Sequence, residues 1–579
     1  MENVRVWAPI PKNVELQLSS RRLAMSREAS GWWTAEISSL DADGDYGFVL
    51  DGEGPLPDPR SGSQPHGALG FSHRVQHNAF TWSDAGWQAP PLSSAVFYEM
   101  HVGTFTPAGT FEAAIEKLDH LVALGVTHLE LMPVNEFAGD RGWGYDGVNL
   151  FAPHHAYGGP EGLKRLVNAC HVKHLDVILD VVYNHFGPAG HHWKKFAPFF
   201  KPGYATPWGP AINFDDAQSD DVRRFFCDNA IQWLRDYHFD GLRLDALHAI
   251  VDLSAEPFLE QLAAEVKELE AQVGRHLSLI AEDGRNDPRI LRSRGRGGFA
   301  LHAQWNDDFH HSLHSALTGE RTGYYRDFGS IADLAKALRN AYVYDGRYSE
   351  FMQRRHGRPP TGLDGHRFLA YLQNHDQIGN RAIGDRSGRL MSVGKLKIAA
   401  ALIFTSPFLP MLFQGEEWAA SSPFLYFCDH EDQELAKAVR EGRRKEFAAF
   451  GWKPEEIPDP QSPETFARSK LDWTELAAPT HADLLAWHKQ LIRLRRAERP
   501  LSDGRLEEVR THFSEEDRWL LVERGEWTIA CNLASKPASL RLRDGDHQLV
   551  LASDVGIIGT SPTLTLPAES VAILRGNHC

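Results

Sequence analysis

Eight short apolar runs, each followed by a longer and mostly amphipathic stretch, recur between residues 96 and 414. They read VFYEMHV (96–102), HLELMPV (128–134), DVILDVV (176–182), GLRLD (241–245), LSLIAE (277–282), FALHAQW (299–305), RFLAYLQ (367–373) and PFLPMLFQ (407–414). Near-continuous apolar strands are the mark of a parallel sheet covered on both faces. Eight strand-plus-helix units in succession predict a (β/α)8 TIM barrel. Between the first two runs, FEAAIEKLDHLVALG places Phe111, Ile115, Leu118 and Val122 at helical spacing.

A chain of 579 residues is too long for one core. Before the barrel, VRVWAP, VELQL, GWWTAEI and DYGFVL alternate, separated by turn-rich DADGD and DGEGPLPDPRSGSQPHG. This predicts an N-terminal β-sandwich over 1–88. Such a module either binds carbohydrate or packs on its neighbour; packing is the favoured reading. The barrel domain is expected over 89–500, with an excursion at 185–240 after the third strand and an insertion at 416–475 after the eighth. RWLLVERG, EWTIACNL, HQLVLAS and SVAILRG predict a C-terminal antiparallel β domain over 501–579. The mixed-charge run HEDQELAKAVREGRRKEF is expected to be an exposed helix with a solvated face.

Lys+Arg 61 against Asp+Glu 77 leaves a net charge of -16, which argues against nucleic acid and anionic membranes as partners. No apolar run is long enough to span a bilayer, and MENVRVWAPIPKN does not read as a secretory signal. Cys170, Cys227, Cys428, Cys531 and Cys579 are scattered and odd in number. Reduced thiols in the cytoplasm are expected.

Chemistry in such a barrel gathers at the C-terminal strand ends. There the third strand brings Asp180, Asn184 and His185; the fourth, Arg243, Asp245 and His248; the fifth, Glu282; the seventh, His375 and Asp376. Clustered carboxylates with no nucleotide or metal motif suit acetal cleavage, whose oxocarbenium-like transition state needs negative charge and a proton for the leaving oxygen. In a retaining glycosidase one carboxylate attacks while a second serves as acid and then base. Arg243, two residues before Asp245 and so on the same face of the strand, favours an ionised nucleophile.

DVVYNH, DGLRLDALH, IAEDGRND and QNHDQIGNR, in this order and on these strands, resemble the four signature segments of the α-amylase superfamily, glycoside hydrolase family 13. The resemblance implies Asp245 as nucleophile, Glu282 as acid/base and Asp376 as transition-state stabiliser. It also implies that His185, Arg243 and His375 hold the sugar, that Tyr145 of WGYDGVNLFAP stacks beneath it, and that Asp180 orders the site. His248, Gln377 and Asn380 of the same segments are assigned to sugar contacts. One departure is Leu247-His248, where many α-amylases carry Lys-His; a lysine facing a downstream sugar is missing, which counts against ordinary endo-amylase action. In the excursion, Trp193, Phe199, Phe200, Tyr204 and Trp208 either stack on sugars or pack the excursion.

LIAEDGRNDPR, AQWNDDFHHSLH, QNHDQIGNRAIGDR and FQGEEWAASSPFLYFCDH are most similar to the branch that acts on maltooligosyltrehalose. That branch uses water to cut the α-1,4 bond beside the terminal trehalose, and is paired functionally with a maltooligosyltrehalose synthase. The alternative is a glycogen branching enzyme. Trehalose is expected to be recognised by Asp307, Asp308, His310 and His311, at least one of which instead caps the following helix. Failing that, selection falls to Glu416, Glu417 and Trp418. No cofactor is expected and calcium stays open. The histidine pairs 154–155, 191–192 and 310–311 do not predict a metal site, because neighbours on a strand point to opposite faces and no H-E-x-x-H or C-x-x-C occurs.

Overall fold

The computed structural model describes residues 2–38, 44–448, 452–543, 545–559 and 562–576. All eight expected runs become strands of one closed barrel: Phe97–Met100, His128–Leu131, Asp176–Val181, Gly241–Leu244, Ser278–Ala281, Ala303–Trp305, Phe368–Ala370 and Leu409–Phe413. Neighbours in the chain are neighbours in space, all parallel. The eighth strand closes on the first, with Met411 beside Phe97 and Phe413 beside Glu99.

Side chains two residues apart share a face. Phe97, Ile178, Ile280, Ala303, Leu369 and Leu409 form an apolar cluster. Two residues further along, Phe97 gives way to Glu99 and Ile178 to Asp180, and the neighbouring strands bring Glu130 and Arg243 to the same level. All four charged residues are buried. Gly241 is required by crowding, since a Cβ there would stand 2.5 Å from the Ser278 carbonyl oxygen and 2.7 Å from the Ile178 side chain.

The first crossover differs from expectation. Two short helices, Phe111–Ile115 and Leu118–Leu124, replace one, and the break shifts the buried face to Phe111, Ala114, Leu118, Leu121 and Leu124. Val122 faces solvent.

The N-terminal domain consists of two antiparallel sheets. One holds Glu2–Trp7, Trp32–Ile37 and Ser26–Arg27; the other Arg22–Ala24, Val14–Leu18, Tyr46–Leu50 and Glu53–Leu56. Val14, Leu16 and Leu18 alternate inward along one strand, as period two demands. Trp7 meets Phe199 edge-on at 5.7 Å and Phe48 meets Phe196 at 6.4 Å, so this domain packs on the excursion. The 185–240 stretch is itself two things. Pro188–Lys195 and the hairpin Phe200–Thr206/Gly209–Ile212 protrude, while helix Ser219–Asp236 returns the chain to the fourth strand as a barrel helix. Trp193 and Phe199 are buried in the excursion, whereas Trp208 is 47% exposed.

At the other end, Val509–Ser514, Trp519–Arg524, Trp527–Asn532, Ser570–Gly576 and His547–Ala552 form a five-stranded antiparallel sheet. Most of DADGD, part of the 416–475 insertion, and Cys579 lie outside the described residues. The other four cysteines are free and buried.

Candidate active site

Arg243 organises the strand ends. It is fully buried, and its Nη1 donates to Asp180 at 2.8 and 2.9 Å and to Asp245 Oδ1 at 2.8 Å. Its Nη2 lies 2.9 Å from Glu282 Oε2, and the Trp305 ring stands 4.1 Å from the guanidinium. Burial opposes the cation, but Asp180, Glu282, Tyr145 and Asp245 outweigh it and hold it charged. An isolated buried charge costs several kcal/mol; three partners remove the anomaly posed by charge inside an apolar strand.

The two carboxylates on this guanidinium are held differently. Asp245 also accepts from Asn184 Nδ2 at 2.8 Å, so donors surround an anion. Burial pushes the Glu282 carboxyl upward, Arg243 opposes that, and Asp245 adds to it. The residue after Asp245, Ala246, sits in the left-handed region at φ +42°. That conformation costs a non-glycine residue roughly 1–3 kcal/mol. It aims the Ala246 amide at Glu282 Oε2, 2.7 Å away.

The seventh strand delivers Asp376 on the short helix His375–Gly379, capped by the Asn374 side chain, which accepts from the Asp376 and Gln377 amides. Asp376 is open, with 41% of its side chain exposed. His375 is buried and bonded through Nδ1 to Glu99. Burial works against its charge, but the Glu99 and Asp376 carboxylates push it up to about 9. Tyr145 stacks on His375 at 5.0 Å and donates its hydroxyl to Asp180 at 2.7 Å. Burial raises Asp180 to about 7 despite Arg243. His185, lowered to about 4 by burial, lies flat beneath Trp208 at 5.6 Å.

One cleft of about 490 Å3 opens over these groups, with Arg243, Asp180 and Glu99 behind its lining. Its walls include Asp245, Glu282, Asp376, Tyr145, His185, His248, His375 and Asn380, and Asn380 donates to Asp376 at 3.3 Å. Leu247 is buried, leaving His248 to face the cleft.

The other residues expected to contact sugar stand outside the lining of this cleft, Asp307 the nearest of them, within electrostatic reach of Glu282 and Asp376. Asp308 is buried and accepts from Asn286 Nδ2 at 2.9 Å and from the Val343 and Tyr344 amides at 2.7 Å each. His310 is buried against Tyr371 and bonds Tyr325 at 2.9 Å. His311 packs on Tyr324 and Phe328, and Asp307 accepts from the Tyr371 hydroxyl at 2.7 Å. Burial raises Asp307 and Asp308 to about 6 each. None of these four, nor Gln377, lines the cleft. The cap of helix Asp307–Thr318 is not one of the aspartates but Asn306, which accepts from Phe309 N at 3.2 Å. Glu417 and Trp418 are fully buried, Glu417 bonding Tyr98 and His120.

Instead, the cleft is completed by residues with no motif of their own. Arg141 pairs with Asp429 at 2.6 Å, Trp143 donates to the Leu425 carbonyl, and Tyr426 stands beside Trp143. The mixed-charge helix Gln433–Ala448 is not merely solvated: Val439, Gly442, Arg443 and Glu446 line the cleft, and Arg443 donates to the Gly379 carbonyl at 2.8 Å. Among the missed residues only Glu99 carried a signal, being a charge inside a buried strand, as Arg243 is.

A family model described as the catalytic domain of alpha amylase matches residues 74–198, and one described as a domain of unknown function, DUF3459, matches 504–573. A malto-oligosyltrehalose trehalohydrolase from Mycobacterium tuberculosis is 48% identical over 581 residues, covering 99% of each chain. The chain belongs to the malto-oligosyltrehalose trehalohydrolase family. It is therefore a glycosidase of the α-amylase class. A branching enzyme from Vibrio parahaemolyticus is 31% identical over 53% of this chain and 46% of its own, which places the trehalohydrolases nearer. A crystal structure of a Salmonella typhimurium protein, provisionally called an α-amylase, superposes with a TM-score of 0.91. It is 38% identical and covers 99% of this chain and 97% of its own. Among the described residues no helix of this trehalohydrolase-family chain is long and apolar enough to cross a membrane.

Proposed function

We propose that the chain hydrolyses the α-1,4-glucosidic bond next to the terminal trehalose of maltooligosyltrehalose, with retention, releasing trehalose and a maltooligosaccharide. The observation that carries this reading is one guanidinium holding Asp245 and Glu282 side by side, in a chain aligned end to end with a trehalohydrolase.

Asp245, ringed by donors, attacks the anomeric carbon from below the sugar. Glu282, whose carboxyl is pushed up by burial, keeps a proton for the departing trehalose oxygen. The developing oxocarbenium charge is met by Asp376, and Tyr145 supplies the platform beneath the ring. Once the glycosyl-enzyme ester has formed, Glu282, now a base, takes a proton from water, which attacks the anomeric carbon and frees Asp245. Trehalose selection falls to groups that line the cleft, with Arg443 and the Arg141–Asp429 pair as the charged candidates.

The buried free thiols support a reducing compartment, the cytoplasm, where a maltooligosyltrehalose synthase would supply the substrate. Product analysis on maltooligosyltrehalose, plain maltooligosaccharide and amylose tests the reading. Free trehalose should appear rapidly from the first and the others should be cut slowly. Transfer of chains with no new reducing ends would overturn it.

A further inference from the structure

Behind the cleft wall, a carboxylate and two imidazoles converge at the base of the hairpin Asn135–Phe137/Gly147–Pro153, whose connecting loop carries Trp143 and Tyr145. Glu136 and His154 are fully buried, and His155 is partly open. His155 Nδ1 lies 2.8 Å from Glu136 Oε1, and His154 Nδ1 lies 3.2 Å from Glu136 Oε2. That second contact is short but out of line, so neither ring nitrogen of His154 has a hydrogen-bond partner among the described residues. Phe137 lies flat on the His154 ring at 3.8 Å, fixing its plane.

The sequence rule that separates adjacent histidines fails here for a local reason. The strand ends at Pro153 and the chain turns into the 3-10 segment His155–Tyr157, so both rings swing toward Glu136. The donor atoms of the three residues all lie within 4.8 Å of one another. Separations of 2.8 and 3.2 Å approach the ~3.3 Å edge of a tetrahedron whose metal–ligand bonds are ~2.0–2.1 Å. A buried imidazole with both nitrogens idle is costly, and an ion between these groups gives one of the two a partner.

We propose that Glu136, His154 and His155 bind one divalent transition-metal ion, by ligand type Zn2+, which pins the hairpin presenting Trp143 and Tyr145. Two imidazoles and one carboxylate suit zinc; calcium takes six to eight oxygens and would find too few. Asp140 Oδ1 lies 3.2 Å from His155 Nε2, the position from which a carboxylate orients a metal-bound histidine. Glu136, His154 and His155 do not line the cleft, so the ion takes no part in the sugar chemistry.

The test uses the full chain without a histidine tag, stripped with EDTA and titrated with Zn2+ alone by calorimetry. One equivalent should bind and the thermal midpoint should rise; Co2+ should give a visible d–d absorption band in its place. Glu136→Gln keeps the packing while removing the anionic ligand, and His155→Ala removes a partly exposed one. Replacing an orienting carboxylate costs ~10–100-fold in metal affinity, so Asp140→Asn should weaken binding within that range and the two ligand variants by more. Folding of each variant is checked by circular dichroism, and should one fail to fold the other carries the comparison. A folded wild-type chain that takes up no Zn2+, or uptake unchanged in the folded ligand variants, overturns the site.

Discussion

Glu99→Gln removes one charge from beneath the catalytic cleft and leaves its shape. His375 is buried among Glu99, Asp376, Arg243, Tyr145, Trp143 and Trp305; Glu99 and Asp376 favour its cation most, and Asp180 and Glu130 add to them from further off. With Glu99 present it is raised to about 9. With the carboxylate gone, burial and Arg243 should return it to the ordinary histidine range near ~6.5 or below. A raised histidine contributes stability that is complete below the unfolded value and is lost as pH climbs through the folded one. The window is therefore about pH 6.5 to 9, and the contribution is on the order of 3 kcal/mol. The assay is kcat/KM on maltooligosyltrehalose across pH for wild type and variant. Dividing one profile by the other cancels the Glu282 titration that both share. Near pH 5.5 the ratio should be close to one, and near pH 8 the variant should lag by ~30-fold, the change in the protonated fraction. Thermal midpoints should fall between about pH 6.5 and 9 in the wild type and stay level in the variant. A ratio that is flat across this range refutes the claim that Glu99 keeps His375 charged for sugar binding.

Asp245→Ala should lower turnover by several orders of magnitude with the fold intact, because the role is covalent; azide entering the vacated space should restore part of it, and retention of a tenth of the rate removes Asp245 from that role. Proton NMR during early turnover should show the new reducing end first as the α-anomer, and initial β-anomer excludes the double displacement. Asp308→Ala should strand two buried backbone amides and the Asn286 side chain, costing about 3 kcal/mol of stability. Its kcat/KM should drop equally on maltooligosyltrehalose and maltooligosaccharide, and a loss confined to the first would return this residue to trehalose recognition. Arg443→Ala should weaken kcat/KM more on maltooligosyltrehalose than on maltooligosaccharide; parallel losses would place Arg443 outside selection.

The barrel and the charged strand ends that meet at its cleft were legible because both rest on local pattern. Period two tells which side chains share a face, and that alone puts Arg243 with Asp245. What the pattern does not carry is which distant loop closes over a face. Arg141 meets Asp429 across nearly the whole barrel sequence, and Arg443 turns a helix that looks solvated into a cleft wall. The polarity of NDDFHH hides a second demand for a related reason. Asp308 is polar because two backbone amides of the 343–344 segment need an acceptor, a demand invisible until that segment is placed. That His154 and His155 both turn toward Glu136 is not legible in the sequence, because it depends on the strand ending at Pro153.

Closure of the barrel by its last strand has a consequence during synthesis. Strand Phe97–Met100 gains a partner on one edge when His128–Leu131 emerges, but its other edge stays open until Leu409–Phe413 is made. Roughly 310 residues separate the two, a wait of ~15–60 s at ~5–20 residues per second. An open apolar edge invites pairing with another chain, and inward-pointing charges are a known way of blunting it. Glu99 sits on that strand and Glu130 on its neighbour. Glu99→Leu should then lower soluble yield in cells further than it lowers the stability of the folded protein, and an unchanged yield would remove this role. While the ribosome is still working, the glutamate beneath His375 is a guard on an unfinished ring.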